Sequence, residues 1–306
     1  MREPPFALFT MRPRFTHLDD SEKERDSDTE VIYETVLIRV KSIRTRDNIE
    51  EALVVDWKPS GYRTKQHQAI RLSTLLEPHQ LAPLFSGIEW AGTRLWDAAI
   101  ECIHYLYDHY VFSVENKQNC SGPDKPASTT KSLLELGCGL GVPGMMCSLM
   151  GLAQHVVLTD HGSMLNLLER NVRANFQAPC DDMTTNSLIQ AKELSWSREG
   201  LKTLLLAQEQ DQKPLNTTKG FDYVIACDCI FEPLYGESWM LLADVIDELL
   251  SINPQTIVLV SCERRSHDGV DKFISRLRRD KHVGSVQLVI AKGKIEIYKV
   301  NGCELL

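Results

Sequence analysis

The sequence predicts an α/β protein whose sheet is mostly parallel and carries helices on both faces. From Lys131 onward, short apolar or β-branched runs alternate with longer segments that have an apolar face at helical spacing. Such alternation implies crossover connections and therefore parallel strands. The last two runs, VGSVQLVI and KIEIYKV, are separated only by Ala291-Lys292-Gly293, which is too short for a crossover and predicts an antiparallel hairpin.

The elements follow in a clear order. KSLLEL is the first strand of this part, and the helix PGMMCSLMGL begins at Pro143, whose missing N–H is not needed in a first turn. HVVLTD is the next strand and SMLNLLERNVRANF the next helix. The remaining segments are the strands SLIQAKELSW and FDYVIACD, the helix ESWMLLADVIDELL, the strand QTIVLVSC and a helix with Val270, Phe273, Ile274 and Leu277 on one face.

The chain divides into three parts. Residues 1–30 contain the charged stretch HLDDSEKERDSDTE and are predicted to be a flexible tail. Residues 31–86 contain the β-branched runs YETVLIRV and ALVVDW, which predict a β-containing extension. Residues 87–306 form the main domain, in which the low-complexity stretch SVENKQNCSGPDKPASTTK is predicted to be a surface loop.

Composition narrows the class of protein. A hydrophobic content of 43% and a charged content of 25% are typical of a globular chain, and a net charge of −8 argues against nucleic acid as a partner. No apolar run is long enough to span a bilayer, and the proline-broken N-terminus is a poor signal peptide. Nine cysteines without a C-x-x-C pair or a zinc-like His/Cys spacing predict free thiols, no metal, and a cytoplasmic or nuclear location.

The segment LLELGCGLGVPG, residues 133–144, carries the strongest functional signal. Glycines after a strand let backbone N–H groups approach a ligand at the start of a helix. No Gly-Lys-Ser/Thr follows, which excludes a P-loop. Gly139, Gly141 and Gly144 fit the dinucleotide pattern G-x-G-x-x-G, although Gly137 already lies in the turn before it. The glycines alone leave a dinucleotide and S-adenosylmethionine open.

A carboxylate closes the next strand. Asp160 ends HVVLTD, where a carboxylate can accept hydrogen bonds from both hydroxyls of an adenosine ribose. Both candidate cofactors contain that ribose, and a helix N-cap is the competing role for an aspartate at this position. Asp160 therefore predicts an adenosine site without choosing the cofactor.

Several motifs together resemble the seven-strand, or class I, S-adenosylmethionine-dependent methyltransferases. They are ELGCGLGVPG, LTD, NVRAN, Leu194-Ser195-Trp196, FDYVIACDCIF and the terminal hairpin, in the expected order over roughly residues 87 to 300. Within that class the sequence is most similar to the small group that contains protein-lysine methyltransferases. The resemblance implies a Rossmann-like doubly wound sheet, S-adenosylmethionine as the cofactor and a protein substrate, with neither a nucleic acid nor a membrane as partner.

The resemblance also implies the cofactor site. Gly137, Cys138 and Gly139 would line the methionine portion, and Trp196 the adenine face. Core packing is the competing role of Trp196, and also of Trp96, which lies at helical spacing from two isoleucines. The full set of cofactor residues is Trp96, Glu135, Gly137, Cys138, Gly139, Asp160, His161, Trp196 and Cys227.

Asp228 and Phe231 are the predicted catalytic residues. Asp228 follows a strand at the carboxyl edge of the sheet, where such folds bind ligands, and would orient the substrate amine. In the related lysine enzymes this position begins an Asp-x-x-Tyr motif, whereas this sequence ends it with Phe231. The ring of Phe231 would wall the substrate channel, or Tyr235 would supply the hydroxyl. Arg264 and Arg265, after the next strand, are interpreted as contacts for an acidic partner.

The leading hypothesis is N-methylation of a lysine side chain on a cytosolic protein. Methylation of histidine or arginine is the alternative within the class, because Phe231 replaces the tyrosine. A non-catalytic module that uses the cofactor site to bind a partner is a further alternative, against which the intact glycines and Asp160 argue. A nicotinamide oxidoreductase is another alternative, which would use the glycine pattern that begins at Gly139. The sequence shows no separate catalytic domain to support it.

Overall fold

A computed structural model describes seven stretches of the 306-residue chain: residues 36–44, 51–59, 68–73, 91–112, 130–176, 188–210 and 220–303. These stretches all belong to one compact unit, Glu34–Leu306. The predicted tail of residues 1–30 and most of the predicted loop of residues 113–131 lie outside the described residues.

A small antiparallel sheet comes first in the chain. Its strands are β1 Val36–Arg44, β2 Glu51–Pro59 and β3 Gln68–Ser73, in the order β1-β2-β3. The first two coincide with the β-branched runs, whereas β3 is absent from the sequence prediction because its alternation of apolar residues is short. Ile70 and Leu72 of β3 are fully buried in the same hydrophobic cluster as the main domain.

The main sheet has seven strands. They are β4 Ser132–Leu136, β5 His155–Asp160, β6 Leu188–Glu193, β7 Tyr223–Cys227, β8 Ile257–Glu263, β9 Val283–Lys292 and β10 Ile295–Gly302. Their order is β6-β5-β4-β7-β8-β10-β9, with β4 to β8 parallel and β10 antiparallel to both of its neighbours. The predicted fold class, a mostly parallel α/β sheet with a C-terminal antiparallel hairpin, is confirmed.

Helices connect the strands. They are α1 Asp97–Leu106, which continues as a π-helical segment Tyr107–Phe112, then α2 Val142–Leu149, α3 Gly162–Phe176, α4 Arg198–Gln210, α5 Glu232–Tyr235, α6 Trp239–Ile252 and α7 Val270–Leu277. Helix α4 is absent from the sequence prediction. Three consecutive leucines obscure its pattern, because Leu204 is buried and Leu206 is exposed.

Alternate residues of the strands supply two hydrophobic clusters on opposite faces of the sheet. Leu133 of β4 belongs to the cluster that α1, α2 and α3 cover, and Leu134 to the cluster that α4, α6 and α7 cover. Successive side chains of a strand point to opposite faces, so helices on both sides are required to bury them. An Asn171 side chain from α3 ties the small sheet on, since its Oδ1 accepts the Ser73 N–H at 2.8 Å and its Nδ2 donates to the Ser73 carbonyl at 3.2 Å.

The strand order places the site. Chain order reverses at β4, with β5 and β6 on one side and β7 and β8 on the other. Ligands of open parallel sheets bind at the carboxyl ends of the strands beside such a switch point. The residues that follow β4, β5 and β7 are Gly137, His161 and Asp228, so the topology brings three predicted site segments to one edge.

Candidate active site

The glycine loop after β4 brings bare backbone against its neighbours. Gly137 and Gly139 have φ angles of 62° and 53°, in the left-handed region that glycine adopts without strain. A Cβ on Gly137 would lie 2.8 Å from the Cys229 Sγ, and a Cβ on Gly139 would lie 2.8 Å from the carbonyl oxygen of Gly92. Both the conformation and the space at these positions therefore require glycine.

Asp160 is held by two backbone donors. Its Oδ2 accepts the Gly139 N–H at 2.7 Å, and its Oδ1 accepts the His161 N–H at 2.7 Å. Neither donor belongs to α3, which begins at Gly162, so these bonds are not those of a cap on that helix. Burial raises the pKa of the Asp160 carboxyl, and the two N–H groups oppose that rise. Each oxygen keeps a lone pair with which to accept a ligand hydroxyl.

Glu135 is a buried carboxyl beneath the same loop. Its residue is only 1% exposed, and its Oε2 accepts the Gly144 N–H from the first turn of α2 at 2.8 Å. Burial, with a contribution from nearby Asp160, raises the pKa of Glu135 to about 8 against the opposing effect of the Gly144 N–H. This contact joins the end of β4 to the start of α2 and so fixes the loop between them.

One cavity of about 330 Å³ gathers the predicted residues. Its volume lies in the range of small-molecule sites. All nine predicted cofactor residues line it: Trp96, Glu135, Gly137, Cys138, Gly139, Asp160, His161, Trp196 and Cys227. Asp228 and Tyr235 line it as well, whereas Phe231 is not among its lining residues. Met164 and Leu241 are lining residues that sequence reasoning missed, because Met164 has the helical spacing of a core position and Leu241, which is 50% exposed, is one of several apolar residues in a row.

Three cysteines and two tryptophans are among the lining residues of the cavity. Burial keeps Cys138 and Cys229 protonated by raising the pKa of each thiol well above its usual value. The Cys229 Sγ donates to the Leu136 carbonyl at 3.3 Å. The Trp96 indole N–H donates to the Ala91 carbonyl at 3.0 Å, which orients the ring at the cavity edge. The seven cysteines within the described ranges are all free thiols.

Asp228 has an unusual backbone, and its carboxylate accepts three hydrogen bonds within the protein. Its φ of 56° lies in the left-handed region, which a residue with a Cβ adopts only at a cost of roughly 1–2 kcal/mol. The Asp228 side chain is 3% exposed. Its Oδ1 accepts the Glu263 N–H at 3.1 Å and Arg265 Nη1 at 2.9 Å, and its Oδ2 accepts Arg265 Nη2 at 2.6 Å. Strained residues of this kind cluster at functional sites.

The two arginines after β8 bind carboxylates of this chain. Arg264 forms ion pairs with Asp268, Asp271 and Glu296, and Arg265 with Asp228 and Glu263. The interpretation of Arg264 and Arg265 as contacts for an acidic partner does not match this arrangement, because both guanidinium groups already have acidic partners within the protein.

Two further features of the described residues bear on the class of protein. None of the helices in these stretches is both long and apolar enough to cross a membrane. In the same stretches, no three His, Cys, Asp or Glu side chains converge so that they could hold a metal ion.

The cavity suits an adenosine-bearing sulfonium. The bare backbone of Gly137 and Gly139 leaves room for a ligand to lie against it, and Asp160 presents acceptors for ribose hydroxyls in the cavity that the Trp196 ring also lines. The strand order and this site define a class I S-adenosylmethionine-dependent methyltransferase.

Comparison with known proteins identifies the family. The model described as "Lysine methyltransferase" matches residues 81–280, and the chain belongs to this family. Its cofactor is therefore S-adenosylmethionine and its reaction is protein methylation, as the resemblance of the motifs implied.

Three similar proteins carry names that differ in the function they state. Secreted RxLR effector protein 48 of Plasmopara viticola is 36% identical over 166 residues, which are 53% of this chain and 80% of that protein. EEF1A lysine methyltransferase 3 of Xenopus tropicalis is 27% identical over 206 residues, 67% of this chain and 73% of that protein. The Histidine protein methyltransferase 1 homolog of Dictyostelium discoideum is 34% identical over 103 residues, 33% of this chain and 27% of that protein.

Proposed function

We propose that the protein methylates the side-chain nitrogen of a lysine on another protein in the cytoplasm or nucleus. The observation that carries this proposal is that one cavity is lined both by the cofactor residues and by Asp228 and Tyr235, two polar groups suited to a methyl acceptor. The family description and the name of the Xenopus tropicalis relative support lysine as the acceptor.

Each part of the cavity has a role in this proposal. Gly137 and Gly139 hold the methionine portion with their backbone, Asp160 binds the ribose, and Trp196 covers the adenine. Glu135 and Gly144 keep the loop between β4 and α2 in place for these contacts. When bound, S-adenosylmethionine supplies an electrophilic methyl group on a sulfonium, and the protein's task is to align the acceptor nitrogen with it at about 3–3.5 Å.

The acceptor must lose its proton before it attacks the methyl group. At pH 7 a free lysine with a pKa near 10.4 needs about 4.6 kcal/mol to become neutral, at roughly 1.36 kcal/mol per unit. A cavity bordered by Leu241, Tyr235 and buried thiols lowers that cost, because a poorly hydrated wall disfavours the charged amine. Burial also raises the pKa of Tyr235, which keeps its hydroxyl protonated.

Tyr235 takes the part of the tyrosine that the motif lacks. It lies four residues after Phe231, and its N–H donates to the Phe231 carbonyl at 2.9 Å at the start of α5. Phe231 is the extended residue that precedes α5, whereas Tyr235 lies on the helix and lines the cavity, so the phenol stands four residues later than in the motif. In this proposal the Tyr235 hydroxyl accepts a hydrogen bond from the lysine amine and orients its lone pair.

The test uses the purified protein, labelled S-adenosylmethionine and a cytosolic extract, with mass spectrometry to name the modified residue. We expect methyl-lysine on a protein substrate. Tyr235→Phe should bind the cofactor as the unaltered protein does and lose at least tenfold in turnover. Tyr298→Phe is the matched control, because Tyr298 donates to Glu296 at 2.6 Å and is not a cavity residue. Full turnover by Tyr235→Phe would remove the hydroxyl from the mechanism.

Methylation of a histidine is the second candidate. Two observations favour it: Phe231 replaces the tyrosine of the lysine motif, and one relative is named a histidine protein methyltransferase. A neutral imidazole needs no deprotonation at pH 7, so a histidine acceptor does not require the hydroxyl that the lysine motif carries at position 231. The same mass spectrometry decides between the two, since label on histidine alone would replace lysine by histidine as the acceptor.

A further inference from the structure

Arg265 is enclosed by two carboxylates and two aromatic rings. Its Nη1 and Nη2 donate to both Asp228 oxygens at 2.9 Å and 2.6 Å, and Nη2 also donates to Glu263 Oε2 at 2.6 Å. Its guanidinium carbon lies 5.4 Å from the centre of the Trp96 ring and 5.3 Å from that of Phe231. Acidic groups and ring faces around one position form a binding site for an organic cation.

This group of residues borders the cavity. Asp228 and Trp96 each line the cavity and each contact Arg265, whereas Arg265, Phe231 and Glu263 are not lining residues. The Arg265 side chain is 19% exposed, so the position also reaches solvent. A cation that replaced the guanidinium would enter from the surface and stop beside the wall that faces the cofactor residues.

Arg264, the preceding residue, shows what an ordinary structural arginine looks like here. It pairs with Asp268, Asp271 and Glu296 on the rim, and the aromatic contacts recorded for the described residues include none with it. Its pairing also requires no strained backbone at those three partners, whereas Arg265 binds Asp228 at a φ of 56°. The two arginines thus differ in the features that mark a binding site.

We infer that Trp96, Asp228, Phe231 and Glu263 form a cation site for the substrate side chain, and that Arg265 occupies this site until a substrate ammonium displaces it. The inference rests on the proposed function for the identity of that cation. Exchange keeps the charge balance, because one positive charge replaces another between the same two carboxylates. Arg265 then lowers the apparent affinity for substrate by the fraction of time that it holds the site.

Arg265 also stabilises the protein while no substrate is bound. Two carboxylates beside two rings, without a cation, would leave a buried charge unpaired, and breaking such a pair is strongly destabilising. An internal arginine holds the Asp228 carboxylate in position while no substrate is present. The substrate ammonium therefore meets a carboxylate that is already oriented.

The experiment measures binding of n-butylammonium chloride, which has the charged end of a lysine side chain, by calorimetry at constant ionic strength. n-Butanol serves as the uncharged probe. Arg265→Gln empties the site, and we expect it to bind n-butylammonium at least tenfold tighter than the unaltered protein, with no matching gain for n-butanol. Arg264→Gln, the matched control, should show no gain. The double variant Arg265→Gln with Asp228→Asn should lose the gain.

Equal affinity of the unaltered protein and Arg265→Gln would overturn the inference, as would a gain that survives Asp228→Asn. Should Arg265→Gln fail to fold, the unaltered protein provides the test. With the arginines labelled by ¹⁵N, we expect saturating n-butylammonium to shift the Arg265 Nε–H signal and to leave that of Arg264 in place. An unchanged Arg265 signal would show that the ammonium group does not displace Arg265. These measurements need no turnover, so they fail or succeed independently of which residue the enzyme methylates.

Discussion

Replacing Glu135 by Gln tests whether a carboxyl group beneath the cofactor loop is neutral in the folded protein. Glu135 is 1% exposed, and burial raises its pKa from 4.5 to about 8 although the Gly144 N–H stabilises the charged form. A glutamine has nearly the same shape, and its amide oxygen can accept the same N–H. The substitution therefore removes the titration and keeps the contact.

The sign follows from proton linkage. Because the pKa of Glu135 is higher in the folded than in the unfolded protein, the folded state binds more protons between pH 4.5 and about 8. Stability therefore falls as pH rises through that window. At roughly 1.36 kcal/mol per unit, this one group should remove about 2–3 kcal/mol of unfolding free energy between pH 5 and pH 7. A glutamine has no such dependence.

The assay is urea unfolding followed by tryptophan fluorescence at pH 5 and pH 7, without cofactor, for the unaltered protein and Glu135→Gln. From pH 5 to pH 7, we expect the unfolding free energy of the variant to rise by about 2–3 kcal/mol relative to that of the unaltered protein. A difference in stability between the two proteins that is the same at both pH values does not affect this comparison. Glu169→Gln is the control, since Glu169 lies on the surface and pairs with Arg173. If the unfolding free energies of Glu135→Gln and the unaltered protein change in parallel, Glu135 is ionised in the fold and the reasoning fails.

Gly139→Ala and Asp160→Asn test the cofactor site, with Gly293→Ala as the control for the first. Gly139→Ala and Gly293→Ala both place a Cβ at a positive φ, 53° and 60°, which should cost about 1–2 kcal/mol of stability in Gly293→Ala and more in Gly139→Ala. Only the first meets a backbone atom, the Gly92 oxygen at 2.8 Å, so calorimetry should find lost S-adenosylmethionine binding in Gly139→Ala alone. Asp160→Asn should weaken cofactor binding by about 10–100-fold, the value of a charged hydrogen bond, and unchanged affinity would exclude Asp160 as the ribose acceptor.

Much of the fold could be predicted because its signals are local. Leu133 and Leu134 enter opposite hydrophobic clusters, so a strand buried on both faces reads as a continuous apolar run. The three-residue connection between β9 and β10 determines their antiparallel pairing in the same way. The strand β3 escaped prediction because Ile70 and Leu72 become core residues only through contact with a distant helix, and no local pattern records that contact.

Part of the site could likewise be predicted from local signals, and part could not. Gly137, Asp160 and Trp196 each lie at or just beyond the carboxyl end of a strand. Parallel strands bring these ends to one edge of the sheet, so the sequence alone predicts that the three residues meet. The partner of Asp228 is different, because Arg265 lies 37 residues away and its geometry depends on a left-handed backbone at a residue other than glycine. The ion pair therefore had no signature in the sequence.

Phe231 and Tyr235 face different surroundings. A tyrosine at this position would be expected to face the acceptor, yet the Phe231 ring faces the Arg265 guanidinium at 5.3 Å and lies outside the cavity lining. Tyr235, four residues later, lines the cavity instead. On the proposed function, a hydroxyl at position 231 would contact the position of Arg265, whereas the hydroxyl at position 235 would contact the acceptor nitrogen. If so, restoring the motif with Phe231→Tyr should leave the loss of turnover in Tyr235→Phe uncorrected, and recovery of turnover in the double variant would show that the two positions share one role.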